Sequence, residues 1–392
     1  MAAARVATGG AGILLTGGFA WRVYDRAIFS GAEGEPYEIW DDWLNKKDIS
    51  LVRFCQAAAL APSPKNSQPW AFKIANEKVL VLADLDRHVG QLDPTRRQLY
   101  LSIGCAIENL TLAAMADGFF PTVKMLIDRE ISLSSESGLQ LVAEISFMAV
   151  TPHRSPLHQA IAYRSTNRSI YDLYNAVPGG ILSRLLRIGN TPSSRLLLFS
   201  NADRKGALIK NMIIQSLGIL ASNVEIIAED YRWLRWSKEE VAKFRDGMDL
   251  NTFGISTIKL PVTKIMPRPS PEVFNKDWVN LSIDRIRSSN YIGVLAIPQN
   301  MRDSRSAITT GRIWQRLWLS AESQKLAIHP VNALVTTLEV SSSRKTADLG
   351  TAFRNDIMEV DGWDPAIIFR LGYPTVARTP SPRRPMDTIL MA

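Results

Sequence analysis

The stretch Ala61-Pro62-Ser63-Pro64-Lys65-Asn66-Ser67-Gln68-Pro69-Trp70 lies between a helical pattern and a strand pattern in the first part of the chain. Its three prolines restrict the backbone, and Pro69 disfavours the right-handed helical region for Gln68. Ser63, Asn66 and Gln68 therefore present hydrogen-bonding groups on a rigid loop. Such a loop suits a flat ligand ring rich in heteroatoms, and a plain helix-to-strand turn is the alternative.

On both sides of this loop, hydrophobic periodicity predicts a series of helices and strands. Helical spacing predicts helices over residues 49–60, 98–116, 180–188, 205–230 and 311–327. Apolar runs predict strands over residues 78–85, 139–150, 195–200, 291–298 and 366–372. The polar and aromatic residues 31–42 are predicted to form a surface linker.

Two of the predicted helices resemble each other, which suggests an internal duplication. Residues 102–121 can be aligned with residues 310–330, and each stretch has a glycine near its start and a strand-like exit. The duplication predicts a first half over residues 31–150 and a second half over residues 151–392, with an aromatic, proline-rich insertion at about 231–278. Chance likeness of two amphipathic helices is the alternative.

The composition excludes several classes of protein and of site. Of the 392 residues, 46% are hydrophobic and 21% are charged, which is typical of a packed globular protein. Cys55 and Cys105 are too few for a disulfide framework or a four-cysteine zinc site, and the four histidines have no metal-ligand spacing. The net charge of +8 is scattered rather than gathered in a basic run, which argues against nucleic acid as a partner.

Residues 6–21 form an uncharged stretch with arginines on both sides. The stretch is short for a membrane span of about 20 residues, and no convincing cleavage site follows it. Residues 1–30 are therefore predicted to be an uncleaved anchor or signal-like segment, which would make the protein membrane-associated. A loosely packed arm on a cytoplasmic protein is the alternative.

The loop at residues 61–70 resembles the APSxxNxQPW motif of the nitroreductase superfamily of FMN enzymes. The resemblance implies an α+β, nitroreductase-like fold, in which a central, mostly antiparallel sheet is flanked by helices. It also implies a dimeric arrangement in which the loop of one subunit meets the flavin ring and basic residues of the other hold the phosphate. The loop residues expected at the flavin are Pro62, Ser63, Asn66 and Gln68.

Two basic elements resemble the phosphate-binding motifs of that family. They are Arg164-Ser165-Thr166-Asn167-Arg168 and the pair Arg383-Arg384. Arginine suits phosphate because its guanidinium donates two parallel hydrogen bonds, although surface arginine is the alternative for the first element alone. The family segment that passes flavin N5 corresponds to Asn332-Ala333, where many members have Glu-Gly. The cofactor-binding residues so implied are Arg164, Ser165, Asn167, Arg168, Asn332, Ala333, Arg383 and Arg384.

These elements are divided between the two halves. The first half has the loop but no Arg-Ser-Arg element at residues 45–52, and the second half has Gly189-Asn190-Thr191-Pro192 where a second loop would stand. The division predicts an intrachain pseudo-dimer that binds one FMN where its halves meet.

The fused arrangement resembles the Acg-like branch of the superfamily. Trp233-Leu234-Arg235, Asp246-Gly247 and Pro382-Arg383-Arg384-Pro385 carry this resemblance. By analogy with the superfamily, we expect an FMN oxidoreductase in which NAD(P)H gives hydride to N5 and a quinone or nitroaromatic accepts the electrons. The aromatic, proline-rich residues 231–278 are predicted to form a lid over the flavin. A flavin-storage protein with little turnover is the alternative, and a flavin-remodelling enzyme is a weaker one. His329 is predicted to pack rather than to act as a base.

Overall fold

The computed structural model describes residues 32–45, 48–127, 138–256, 258–298, 303–358 and 362–391. Two larger β-sheets with mostly antiparallel pairing are accompanied by helices, which confirms the predicted α+β class. The helices are α1 (Glu38–Asn45), α2 (Leu51–Ala59), α3 (Arg97–Ala116), α4 (Pro156–Ala160), α5 (Gly179–Gly189), α6 (Arg204–Leu220), α7 (Val224–Arg232), α8 (Lys238–Phe244), α9 (Leu260–Ile265), α10 (Pro271–Arg287), α11 (Ser304–Glu322), α12 (Ala333–Val340), α13 (Arg344–Asp356) and α14 (Met386–Ile389). The strands are β1 (Trp70–Ala75), β2 (Lys78–Asp84), β3 (Phe119–Met125), β4 (Leu139–Ala149), β5 (Tyr171–Asp172), β6 (Arg195–Ser200), β7 (Leu234–Arg235), β8 (Met248–Asp249), β9 (Tyr291–Pro298), β10 (Ala327–Pro330), β11 (Trp363–Pro374) and β12 (Leu390–Met391).

The first sheet has the strand order β12-β1-β2-β4-β3. Strands β1 and β2 form a hairpin whose turn residues, Asn76 and Glu77, have φ values of 50° and 58°, as tight hairpin turns require. At the other edge of β1, strand β12 pairs in parallel, with Phe72 opposite Leu390. Strand β12 therefore lies in a sheet whose other strands come from residues 70–149.

The second sheet has the strand order β10-β11-β9-β6, and β5 adds to β11. Its strand pairs are antiparallel. Strand β9 is a nearly continuous buried run, because both of its faces are covered. The bounds of β6 and β9 match the predicted strands at residues 195–200 and 291–298.

Helices α3 and α11 cross at two glycines, which are the glycines near the starts of the aligned stretches. A Cβ atom on Gly104 would overlap the carbonyl oxygen of Ile308 and lie 3.0 Å from the Cα of Gly311. A Cβ atom on Gly311 would likewise overlap the carbonyl oxygen of Leu101. The helices therefore pack backbone to backbone, and one hydrophobic core joins them to side chains of both sheets.

Aspartate side chains cap the N-terminal ends of both central helices. The carboxylate of Asp93 accepts hydrogen bonds from the backbone N–H groups of Gln98 and Leu99, each at 2.9 Å. Asp303 accepts one from the backbone N–H of Arg305, also at 2.9 Å. These caps satisfy donors that a helix N-terminus leaves unpaired, so they fix where each helix begins.

Several elements differ from the sequence-based prediction. The predicted helix at 205–230 is two helices, α6 and α7, which meet at 94° because the side chain of Asn223 caps a new helix. The predicted linker at 31–42 is wrong for its described residues, since Trp40 and neighbouring aromatic side chains are buried in the core. Within the insertion at 231–278, α8, α9 and the start of α10 are regular helices.

The predicted anchor at residues 6–21 lies outside the described residues. Among the residues that are described, α3 alone is long and apolar enough by itself to cross a membrane, and most of it is buried inside the fold. The bent pair of α6 and α7 passes the same test only if both are counted as one span.

Candidate functional site

The loop between α2 and β1 has an unusual backbone. Lys65, Asn66 and Gln68 have φ values of 51°, 55° and 52°, in the left-handed region that side chains other than glycine seldom adopt. The Oγ atom of Ser63 accepts a hydrogen bond from the backbone N–H of Gln68 at 2.9 Å, which closes the loop on itself. Because such strained residues cluster at functional sites, this backbone marks the loop as one.

The C-terminal segment after β11 is held by this loop. The amide of Asn66 donates to the carbonyl of Pro382 at 2.9 Å and accepts from the guanidinium of Arg383 at 2.6 Å. The side-chain oxygen of Gln68 accepts from the backbone N–H of Arg384 at 2.9 Å. The loop therefore positions Arg383 across more than 300 residues of sequence.

Arg383 and two further arginines surround a small polar chamber of about 20 Å³ beside the loop. Arg164 reaches it from the segment after α4, and Arg168 follows four residues later. The residues that line the chamber are Pro62, Ser63, Asn66, Arg164, Thr166, Arg168, Gly247, Met248, Thr252, Ser381 and Arg383.

Several donors at this chamber are buried without a hydrogen-bond partner among the described residues. They are Nε and Nη1 of Arg164 and Nε of Arg383. A buried guanidinium N–H without an acceptor costs free energy. Such a group is rare in natural proteins unless a ligand or a water molecule accepts its hydrogen bond. The unpaired donors therefore favour an anionic ligand with several oxygens.

The electrostatics of the chamber favour an anion as well. Burial lowers the pKa of Arg164 and of Arg168 to about 10, so that both stay protonated at neutral pH. Burial, together with the charge of Arg164, lowers the pKa of Arg383. The negative charge of the Glu322 carboxyl opposes the lowering of the pKa of Arg164. Burial raises the pKa of Glu322 to about 7, however, so this carboxyl is only partly ionised at neutral pH and is a weak counter-ion. An anion in the chamber would supply the missing negative charge.

The chamber adjoins a larger cavity of about 250 Å³, with which it shares lining residues from the loop and from β8. Apolar and aromatic side chains dominate this cavity, and a few polar groups face it. The polar lining residues include Lys65, Gln98, Ser102, Arg168, Asp230, Ser282, His329, Asn332 and Thr336. The apolar ones include Leu101, Ile213, Leu217, Met248, Trp278, Trp314, Trp318 and Ile367. A polar chamber beside an apolar cavity suits a ligand with a phosphate at one end and a flat ring at the other.

The structure brings most of the predicted site residues to these two spaces. Pro62, Ser63, Asn66, Arg164, Arg168, Asn332, Ala333 and Arg383 line one or both of them.

Four predicted residues do not line either space. They are Gln68, Ser165, Asn167 and Arg384. Asn167 donates to the carbonyl of Val376 at 2.9 Å, and Arg384 donates to the backbone carbonyl of Gln68 at 3.3 Å. The remaining one, Ser165, is buried, and its Oγ atom has no hydrogen-bond partner among the described residues.

Sequence reasoning missed a set of residues that only the fold brings to the cavity. Lys65 occupies a variable position of the loop motif, and its ammonium forms an ion pair with Asp230 at the end of α7. Trp278 of α10 lies near this pair, with the Lys65 Nζ 5.5 Å from its ring centroid. The loop motif could have indicated Lys65, whereas no local pattern marks Asp230 or Trp278 as its neighbours.

No family model matches the chain. Curated relatives from two Mycobacterium tuberculosis strains, CDC 1551 / Oshkosh and H37Rv, carry the provisional name NAD(P)H nitroreductase. Each is 21% identical over 341 residues, which cover 86% of this chain and 89% of the relative. Among solved structures, the FMN-dependent nitroreductase NfnB from Mycobacterium smegmatis, in complex with NADPH, is 16% identical with a TM-score of 0.39; the match covers 59% of this chain and 96% of that one.

The alignment with the two curated relatives extends over 86% of this chain rather than over a single motif. The loop at residues 61–70 and the arginines that it helps to position are the features that the sequence resemblance named in advance. Over most of its length, the chain is therefore similar to proteins that are named nitroreductases.

Proposed function

We propose that this protein is an FMN-dependent oxidoreductase that takes electrons from NAD(P)H and delivers them to a small aromatic acceptor, such as a quinone or a nitroaromatic. The observation that carries the proposal is the polar chamber lined by three arginines, which adjoins an apolar cavity. Two of these arginines, Arg164 and Arg383, are buried and have N–H groups without a partner among the described residues. FMN has the matching parts, a phosphate and a flat conjugated ring.

The residues that would hold FMN come from both halves of the chain. Arg164, Arg168 and Arg383 would bind the phosphate through charge-assisted hydrogen bonds. The loop and the start of α12, where Asn332 and Ala333 lie, would border the ring. We infer from this division that the chain is an intrachain pseudo-dimer with one FMN site.

The chain's own groups would bind, orient and exclude water, while the redox chemistry is what FMN supplies when bound. No side-chain nucleophile is needed. Cys105 lines the cavity, but burial raises the pKa of its thiol, so the thiol stays protonated and inert. Met248 and Trp278 add apolar surface that would keep water away from the ring.

Residues 231–278 would act as the lid. Contacts between this segment and the loop support the proposal, since the backbone N–H of Gly247 donates to the carbonyl of Asn66 at 3.3 Å. The side chain of Gln68 donates to the carbonyl of Arg245 at 2.8 Å. A lid that stayed closed would favour the alternative, a flavin-storage protein with little turnover.

Steady-state oxidation of NADPH and NADH with menadione, measured on the full chain after loading with FMN, tests the proposal. Flavin-dependent turnover with about one FMN per chain is the expected result, and typical enzymes reach about 1–1,000 turnovers per second. Tight FMN binding without turnover would favour storage. A protein that takes up no FMN would refute both functions.

Breaking the ion pair between Lys65 and Asp230 is expected to open the cavity. In Asp230→Asn, kcat/KM for a bulky quinone should rise by about 1.5- to 5-fold, because an ion pair of this exposure contributes about 0.2–1 kcal/mol. Arg268→Ala is the matched control, since it breaks a pair with Glu240 elsewhere in the same segment and should leave the rate unchanged. Equal effects in both variants would contradict the idea that the ion pair between Lys65 and Asp230 limits access to the cavity.

Asn66→Ala is expected to weaken FMN binding mainly through Arg383, which loses its side-chain acceptor. Fluorescence titration should show a loss of about 1 kcal/mol or more in the single variant. The double variant with Arg383→Ala should lose little beyond Arg383→Ala alone, with a coupling of about 0.5–3 kcal/mol. Additive losses would mean that Asn66 binds FMN independently of Arg383.

Membrane anchoring through residues 6–21 stays a prediction, and the identity of the acceptor is a proposal by family analogy.

A further inference from the structure

His329 lies on β10 and lines the cavity of about 250 Å³ beside the chamber. One of its ring nitrogens accepts a hydrogen bond from the neighbouring strand. The Nε atom of Arg370, on the neighbouring strand β11, donates to Nδ1 of His329 at 2.9 Å. Among the described residues, Nδ1 has a hydrogen-bond partner and Nε2 has none. The other nitrogen, Nε2, is therefore left for a group in the cavity.

Arg370 cannot change its role in this hydrogen bond. Its side chain is fully buried, and its remaining nitrogens donate to the carbonyls of Arg285, Asn167 and Ser169 at 2.7–3.2 Å. Its guanidinium also lies 3.9 Å from the ring centroid of Tyr171. Because a guanidinium only donates, Nδ1 must be unprotonated and Nε2 must carry the proton of the neutral ring.

The charges around His329 oppose a second proton. Burial is the largest cause that lowers the pKa of His329, and the charges of Arg370, Arg168, Arg285 and Lys65 add to it. These four cations come from β11, the segment before β5, α10 and the loop. An imidazolium here would therefore face both desolvation and like charge.

We propose that the imidazole of His329 is a fixed, neutral hydrogen-bond donor. Its Nε2–H would bind an acceptor atom of the flavin ring in the cavity beside the chamber. The proposal rests on the proposed function for the identity of the ligand. It assigns His329 a binding role instead of packing alone, and it excludes His329 as the acid that delivers a proton from an imidazolium.

Nitrogen NMR of the ¹⁵N-histidine-labelled chain, assigned with a His329 variant, tests the protonation state without any activity. We expect a protonated Nε2 and an unprotonated Nδ1 that do not titrate between about pH 5 and pH 8, where ordinary histidine does. The Nε2 signal should shift when FMN is added. A protonated Nδ1, or an imidazolium in this range, would overturn the proposal.

Two variants separate ligand binding from support of Arg370. His329→Asn keeps an acceptor near the position of Nδ1 but has no donor at the position of Nε2, whereas His329→Gln keeps that donor and loses the acceptor. We expect FMN affinity to fall by about 3- to 10-fold in His329→Asn and to change less in His329→Gln.

The reverse order would show that His329 only supports Arg370, and it would overturn the proposal. An unshifted Nε2 signal on FMN binding would do the same. If the unaltered chain takes up no FMN at all, the proposed function fails, and this inference fails with it.

Discussion

Replacing Gly104 with alanine is expected to lower the free energy of unfolding by about 3 kcal/mol, toward the upper end for overpacked cores. The new Cβ atom would overlap the carbonyl oxygen of Ile308 and lie 2.9 Å from its carbonyl carbon. These are backbone atoms of α11, so no side-chain rotation can relieve the overlap. The two central helices would have to separate, and the core that they share with both sheets would loosen.

Gly218→Ala is the matched control for this prediction. Gly218 lies in helix α6, and a Cβ atom there would meet nothing within 4 Å. Alanine should therefore stabilise the protein by about 0.4–1 kcal/mol, because it restricts the unfolded chain and favours helix. Urea and thermal unfolding of the two variants should give changes of opposite sign. A change within about 0.5 kcal/mol of zero for Gly104→Ala would contradict the close crossing.

Arg164→Ala and Arg383→Ala are each expected to weaken FMN binding by about 1.5–3 kcal/mol, which is about 10- to 150-fold in Kd. Both side chains line the polar chamber with unpaired N–H groups, and charge-assisted hydrogen bonds to phosphate are the strong ones. Arg383→Lys should lose less than Arg383→Ala, because it keeps the charge and loses only the planar fork. Titration of the apoprotein with FMN, followed by flavin fluorescence, measures these changes.

Arg354→Ala is a suitable control, since Arg354 is on α13 and its side chain is 55% exposed beside Asp364. It should leave FMN affinity unchanged. Thermal unfolding of each variant separates a loss of binding from a loss of folding. If both Arg164→Ala and Arg383→Ala bound FMN as tightly as the unaltered chain, the assignment of the chamber to phosphate would be wrong.

Local patterns predicted the elements that have clear ends. Strands 195–200 and 291–298 are apolar runs with polar boundaries, and the structure has the same bounds. The break between α6 and α7 was missed although Asn223 is a strong capping residue, because the apolar period continues through it. Helix α10 was missed because few of its side chains are buried, so its hydrophobic pattern is weak. Strand β12 has only two residues, and its pairing with β1 depends on the whole fold.

Residue types and their spacing alone indicated the rigid loop at residues 61–70, the arginines that suit phosphate, and the two similar helices with their glycines. These features depend on residue type and short spacing, which local physics can interpret. Three further features became visible only in the folded chain. Arg383 contacts Asn66, Arg370 sets the tautomer of His329, and Arg384 donates to the backbone of Gln68 and does not line the chamber. The reason is that burial and hydrogen-bond partners depend on segments that are hundreds of residues apart, and no local pattern records which of them will pack together.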